Sequence, residues 1–172
     1  MHSVLQLPVP PLEDWVRERT HHYDAGFVSG DPRFGHAHIT VLAPFVPDPS
    51  PQDLAAVADI ASATPPFEVR LGEVDTFPDG IIHLRVEPEG AVRGLTRAVL
   101  AAFPGLTPYE GIYGPEPRPH LTLDAVSGEV SEQSTRALLS DLVPVTCVLE
   151  RLQLAWWESG NCHVVRGWDL GA

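Results

Sequence analysis

The sequence predicts an α+β fold made mostly of antiparallel strands. Three observations lead there. Helical and strand-like segments are interspersed, and the strands come mainly as hairpins, which argues against a doubly wound parallel sheet. "PDG" (residues 78–80) lies between two segments of period 2, a strong hairpin signal. The two parts of the chain also echo each other, each running through a loop, a His-x-Thr strand, a helix and a β-hairpin. The echo predicts an internal duplication with two pseudo-equivalent lobes, within one domain spanning residues 1–172.

The elements follow in order. "SVLQLPV" alternates weakly and is a first strand. "PPLEDWVRERTHHYDA" opens on proline and carries Leu12, Trp15 and Val16 at helical spacing. After the loop "GDPRFG", "HAHITVLAPF" is a strand, broken by "VPDPSPQ". Ser50 is placed to cap the helix "PQDLAAVADIASA", with Pro51 at its first position and Leu54, Val57 and Ile60 on one side. "FEVRLGEVDTF" and "IIHLRVEP" form the hairpin around "PDG". "EGAVRGLTRAVLAAF" is a helix stopped by Pro104 and Gly105, and "LTPYEGIYGPEPRP" is a long loop. "HLTLDAV" is a strand and "SEQSTRALLSDL" a helix with Ser131 as its cap. "VTCVLERLQLAWW" and "NCHVVRGWDL" make a last hairpin around "ESGN".

Bulk properties narrow the partners. The 172 residues suffice for one domain with a real core. The chain has 11 basic and 23 acidic residues and a net charge of −12. A protein that grips a long phosphate backbone needs a basic field, so long nucleic acid is not expected. A small phosphate ester needs only a few local donors. There is no apolar run near 18 residues and no signal-peptide pattern at the N-terminus, so no membrane partner is expected and the cytoplasm is the expected compartment. Cys147 and Cys162 fall out of register in the expected last hairpin and are read as reduced thiols. Nothing in the sequence sets an oligomeric state.

Chemistry enters through two matched tripeptides, His38-Ile39-Thr40 and His120-Leu121-Thr122, 82 residues apart. On a strand, residues i and i+2 share a face. His38 and Thr40 therefore point one way, as do His120 and Thr122, while Ile39, Val41, Leu121 and Leu123 point into apolar packing. If the lobes pack face to face about a pseudo-twofold, the four polar side chains converge in one cleft. Phosphodiester hydrolysis needs a base for the attacking water and an acid for the leaving oxygen. Imidazole serves either role near neutrality, and threonine hydroxyls can donate to the non-bridging oxygens as charge builds there. No metal and no cofactor are required. An isolated histidine on a strand is more often a hydrogen-bonded structural group; the matched pair favours function.

These motifs, with the flanking "HITVLAPF" and "YEGIYGPEPRPHLTL", resemble the 2H phosphoesterases, which include proteins known as 2′-5′ RNA ligases and the cyclic phosphodiesterases. The resemblance covers nearly the whole chain, and neither motif is degenerate. It implies a bilobal, internally duplicated α+β fold with a central cleft and helices outside. It implies that His38 and His120 are the acid–base pair and that Thr40 and Thr122 hold the phosphate. The implied reaction is metal-independent opening of a cyclic phosphodiester, foremost a 2′,3′-cyclic phosphate on a nucleotide or short RNA end. The usual product in the family is the 2′-phosphomonoester, and the reverse reaction would be a 2′-5′ ligation. Other phosphoesters, such as a cyclic ADP-ribose phosphate or a signalling dinucleotide, remain as alternatives. So does a sensor that binds a phosphorylated metabolite without turnover.

Four further residues are candidates for substrate binding. His36 and Arg118 each precede a motif histidine by two positions and face the cleft edge if the strands extend that far. Arg118 then meets a phosphate or carboxylate; the bland reading makes it a solvated charge behind Pro119, and His36 an exposed loop residue. Tyr113, like Tyr109, either stacks on a nucleobase or pins its loop to the body. Of Trp156 and Trp157, one faces the core and the other, assigned as Trp157, lines the cleft. His36-Ala37-His38 also spells a metal-binding pair, but further ligands are missing from the sequence. His83 and Arg85 share a face and are expected on the solvent side. His21, His22 and His163 form no pattern, and there is no paired-acid spacing, glycine-rich phosphate loop or serine elbow.

Overall fold

Eight strands and four helices make up the chain: β1 (His2–Pro8), α1 (Glu13–Asp24), β2 (His38–Leu42), α2 (Pro51–Ala63), β3 (Phe67–Thr76), β4 (Ile81–Glu87), α3 (Gly90–Ala102), β5 (His120–Ala125), α4 (Glu132–Leu138), β6 (Val145–Leu149), β7 (Arg151–Trp157) and β8 (His163–Asp169). The computed structural model describes all 172 residues. The strands form one antiparallel sheet in the order β6-β3-β4-β5-β2-β1-β7-β8. The class is α+β, as expected.

Local chemistry accounts for the element ends. Ser50 and Ser131 both build capping boxes, accepting from the backbone N–H of Asp53 and of Ser134 while those side chains reach back to the cap. In the β3–β4 turn the Gly80 N–H donates to Phe77 O, and Gly80 has φ +91°, open to glycine at no steric cost. Register shifts in β1–β2, β3–β4, β4–β5 and β7–β8 add local twist.

The sheet divides into two four-stranded lobes that meet where β2 pairs with β5, through Ile39 opposite Leu121. The lobes therefore stand edge to edge in a continuous sheet rather than face to face. They are also not the sequential parts of the chain. The β3–β4 hairpin follows the first motif, yet β4 pairs with β5, the strand of the second. The first motif's strand is completed by β1 and, through it, β7 and β8.

The expected last hairpin is corrected too. "VTCVLERLQLAWW" is two strands, with only Glu150 between them. β6 takes the sheet edge beside β3, whereas β7 lies between β1 and β8. Two residues of chain span at most about 7 Å, so the sheet must curl until β6 approaches β7. Cys147 and Cys162 thus sit on or beside strands at opposite ends of the sheet order, and both are free thiols.

The core follows from strand alternation. Ile39, Leu121, Leu84 and Leu154 have no exposed surface, and Val92, Leu95 and Val99 of α3 and Val57 and Ala61 of α2 join the same apolar cluster. Each fully buried aliphatic side chain contributes about 1.5–3 kcal/mol. Ile39 and Leu121 do so at the seam itself, tying the lobes where the polar motif residues face the other way. α3 packs on β2, α2 on β8 and on α3, α4 on β3 and α1 on β5. No helix is long and apolar enough to cross a membrane.

Candidate active site

The seam places the motif residues. With Ile39 opposite Leu121 in an antiparallel pair, His38 lies across from Thr122, and Thr40 across from His120. Each motif's histidine thus faces the other motif's threonine about a local twofold. Two cavities open over this quartet. One, of about 450 Å³, is bounded by His38, Thr40, Thr122 and Trp157. The other, of about 430 Å³, is bounded by His120, Thr40, Thr122 and Tyr113. The two threonines line both.

The histidines are oriented by one device used twice. His38 Nδ1 lies 2.8 Å from the His36 carbonyl, and His120 Nδ1 lies 2.8 Å from the Arg118 carbonyl. A carbonyl only accepts, so Nδ1 carries the proton and Nε2 is left for chemistry. Burial pushes the pKa of His38 down to about 4; the His36 carbonyl and Glu13 oppose this, and His120 adds to it. Burial lowers His120 as well, opposed by the Arg118 carbonyl and Asp79 and reinforced by His83. Both shifts favour the neutral ring, and an anion beside the rings would oppose them.

His36 and Arg118 are pseudo-equivalent through their backbones. The strands start at His38 and His120, so neither residue extends a strand. The His36 side chain has only 2% exposure; Nδ1 donates to Glu13 Oε1 at 2.5 Å, and Nε2 accepts from the Ser29 N–H at 3.0 Å. With both ring nitrogens engaged, His36 has no donor or acceptor left for substrate or metal, and the exposed-loop reading fails as well. Its work is to anchor α1 to the segment before β2. Burial pushes the Glu13 carboxyl up, but hydrogen bonds from His36 and the Ala37 N–H outweigh it and hold the carboxyl below its usual range. No group of three or more His, Cys, Asp or Glu side chains is arranged to hold a metal ion.

Arg118 faces the His120 cavity, with its Nε 3.0 Å from Glu89 Oε1. Tyr113 is half exposed and donates from its hydroxyl to Asp79 at 2.6 Å, which pins its loop to the β3–β4 turn. Trp157 stands 5.2 Å from the His38 ring and donates to Gln6 Oε1 at 3.0 Å. Phe34 and Phe27 back it at 4.7 and 6.4 Å.

Sequence reasoning missed several features. His83, expected on the solvent side, is fully buried, stacked on Phe77 at 3.8 Å and edge-on to His120 at 5.4 Å. Its position opposite Thr122 follows from the β4–β5 pairing, which no local signal announces. Arg85, opposite His120, is partly exposed and paired with Asp75 and Glu73. Asp124, two residues past Thr122, is buried and accepts from Arg19 of α1 at 2.6 and 3.0 Å. Tyr109 and Glu110 are non-glycine residues at φ +48° and +54°, a conformation costing about 1–2 kcal/mol each. This backbone brings Tyr109 against both cavities over the quartet.

Two His-x-Thr strands thus meet at one seam of a single antiparallel sheet, and their polar residues line one cleft. Residues 8–161 match the family model described as the 2′-5′ RNA ligase superfamily, and the chain belongs to that family. No curated protein sequence matches. The fold is similar to that of E. coli LigT complexed with 3′-AMP (TM-score 0.57, 16% identity, 99% of this chain and 98% of that one). It is likewise similar to TT0787 of Thermus thermophilus (TM-score 0.58, 19% identity, 99% and 98%). A structure described as a phosphoesterase gives TM-score 0.58 at 16% identity, again over 99% and 98% of the chains.

Proposed function

We propose that this chain is a metal-independent hydrolase of a cyclic phosphodiester, foremost a 2′,3′-cyclic phosphate on a nucleotide or short RNA end. The observation that carries the reading is the paired geometry: two imidazoles with Nδ1 fixed on a carbonyl two residues back, set across one strand seam from two threonines. The phosphate sits on the Thr40 and Thr122 hydroxyls, which donate to its non-bridging oxygens. One histidine takes a proton from water through Nε2 as the water oxygen bonds to phosphorus. The other, protonated at Nε2, gives its proton to the ribose oxygen as the P–O bond breaks. The product is a phosphomonoester and a free hydroxyl. The LigT structures hold 3′-AMP, ATP and NADP+, and these ligands support a small phosphorylated substrate here. The family also supports 2′-5′ ligation as the reverse reaction. The acidic chain favours a small ester over a long RNA.

The test is turnover of the four 2′,3′-cyclic mononucleotides in EDTA, with the product followed by phosphorus NMR. Wild type should turn over with a bell-shaped pH profile, and His38→Ala and His120→Ala should each lose about 10²–10⁴-fold. Binding without turnover in wild type would overturn the hydrolase in favour of a sensor, and loss of activity in EDTA would point to a metal enzyme.

A further inference from the structure

The chain has eleven basic residues, all arginine. Eight of them pair with carboxylates, while Arg17, Arg97 and Arg166 are in no ion pair. Arg97 is exposed but does not stand alone. It lines a third cavity, of about 210 Å³, with Arg93 and Arg118. Three of eleven arginines thus meet in one small hollow of a protein whose net charge is −12.

The hollow has a structural cause. β2 and β5 are in register at one residue pair only. Pro119 offers no N–H with which to extend the ladder, so the chain before His120 leaves β2 and the gap is floored by Val41 and Leu42 and walled by α3. Two of the three arginines are pre-positioned. Glu89 holds Arg93 at 2.8 Å through Oε2 and Arg118 at 3.0 Å through Oε1, and Glu116 is the other carboxylate at the rim, 3.9 Å from Arg93. Three guanidinium groups against two carboxylates leave a positive excess. Arg118 commits only Nε, so its terminal nitrogens are open. The hollow also opens onto the catalytic cleft, since Thr40, Tyr109 and Arg118 border both.

We infer that this arginine-lined hollow is a subsite for a second phosphate of the substrate, distinct from the phosphate held at the two histidines. The inference deepens the hydrolase reading and rests on it for the first phosphate. It specifies the substrate as a cyclic phosphate that carries another phosphate one ribose away. A 5′-phosphomonoester and the next phosphodiester of a short RNA end share that chemistry.

Three ligands separate the cases: adenosine 2′,3′-cyclic phosphate, its 5′-phosphorylated form, and the dinucleotide in which the 5′ oxygen carries a phosphodiester. Their affinities are measured by calorimetry on the His38→Ala/His120→Ala protein, and their kcat/KM on wild type. The second phosphate should improve both by about tenfold at low salt. Arg97→Gln should bring that ratio close to one, Arg97→Lys should restore part of it, and Arg166→Gln, on β8, should leave it unchanged. A gain confined to the monoester identifies a nucleotide substrate; an equal gain for the diester identifies an RNA end. A ratio near one in wild type, a ratio indifferent to Arg97→Gln, or no binding of any of the three overturns the subsite. Phosphate-dependent binding without turnover keeps the subsite and overturns the hydrolase reading instead.

Discussion

Replacing His38 by glutamine should make the protein less sensitive to acid. The folded protein holds His38 at a pKa of about 4 against 6.5 for the free side chain, because burial penalises the imidazolium. The unfolded chain therefore binds a proton more readily than the native one between those values. Stability from the neutral ring is intact above pH 6.5 and drains away as pH falls toward 4. At about 1.4 kcal/mol per pH unit the ceiling is roughly 3 kcal/mol, and solvent on the cleft side of the ring trims it to about 2 kcal/mol. The charged and titratable neighbours are His120, His36 and Glu13. The first and second oppose the imidazolium and Glu13 favours it. Urea unfolding of wild type and His38→Gln at pH 7.5 and 4.5 reads the difference directly. With a slope near 2 kcal/mol/M, wild type should lose about 1 M more of its midpoint than the variant. Equal acid losses in the two proteins, or a His38 ring that titrates near 6.5 by NMR, would refute the reasoning.

Three further outcomes follow from the geometry. Asp124→Ala strands the Arg19 guanidinium, which is only 18% exposed, and should cost about 3 kcal/mol, or roughly 9 °C in a calorimetric scan; Arg19→Met combined with Asp124→Leu should recover most of it. Ser50→Ala removes one capping box from α2 and should cost about 1 kcal/mol by chemical denaturation. Under the proposed reaction, Thr40→Val and Thr122→Val should each lower kcat about 10²-fold with smaller changes in KM, as read by initial rates on the cyclic nucleotide that turns over best.

The element list was legible because it rests on local chemistry. Pro51 behind Ser50, the "PDG" turn and the alternation of "HITVL" each act within a few residues, and each element formed where those signals stood. The break at Glu150 was not legible, since "VTCVLERLQLAWW" holds no proline or glycine to end a strand, and the change of partner strand there is a tertiary event. His83 was misread for a similar reason. A histidine on an amphipathic strand looks solvated until the neighbouring strand is known, and here Phe77 and His120 cover it.

What the sequence determined by itself was the inventory: the α+β class, the two doublets His38/Thr40 and His120/Thr122, and the face each doublet shares, because period 2 is a property of any strand. Only the tertiary structure decided how the doublets meet. Strand pairing acts between residues far apart in the chain, and its register set His38 against Thr122 and Thr40 against His120. The same pairing turned the carbonyls of His36 and Arg118, rather than their side chains, into the matched supports of the two imidazoles. It also opened the gap before Pro119 into which Arg93, Arg97 and Arg118 converge, from a helix and a loop that share no local signal.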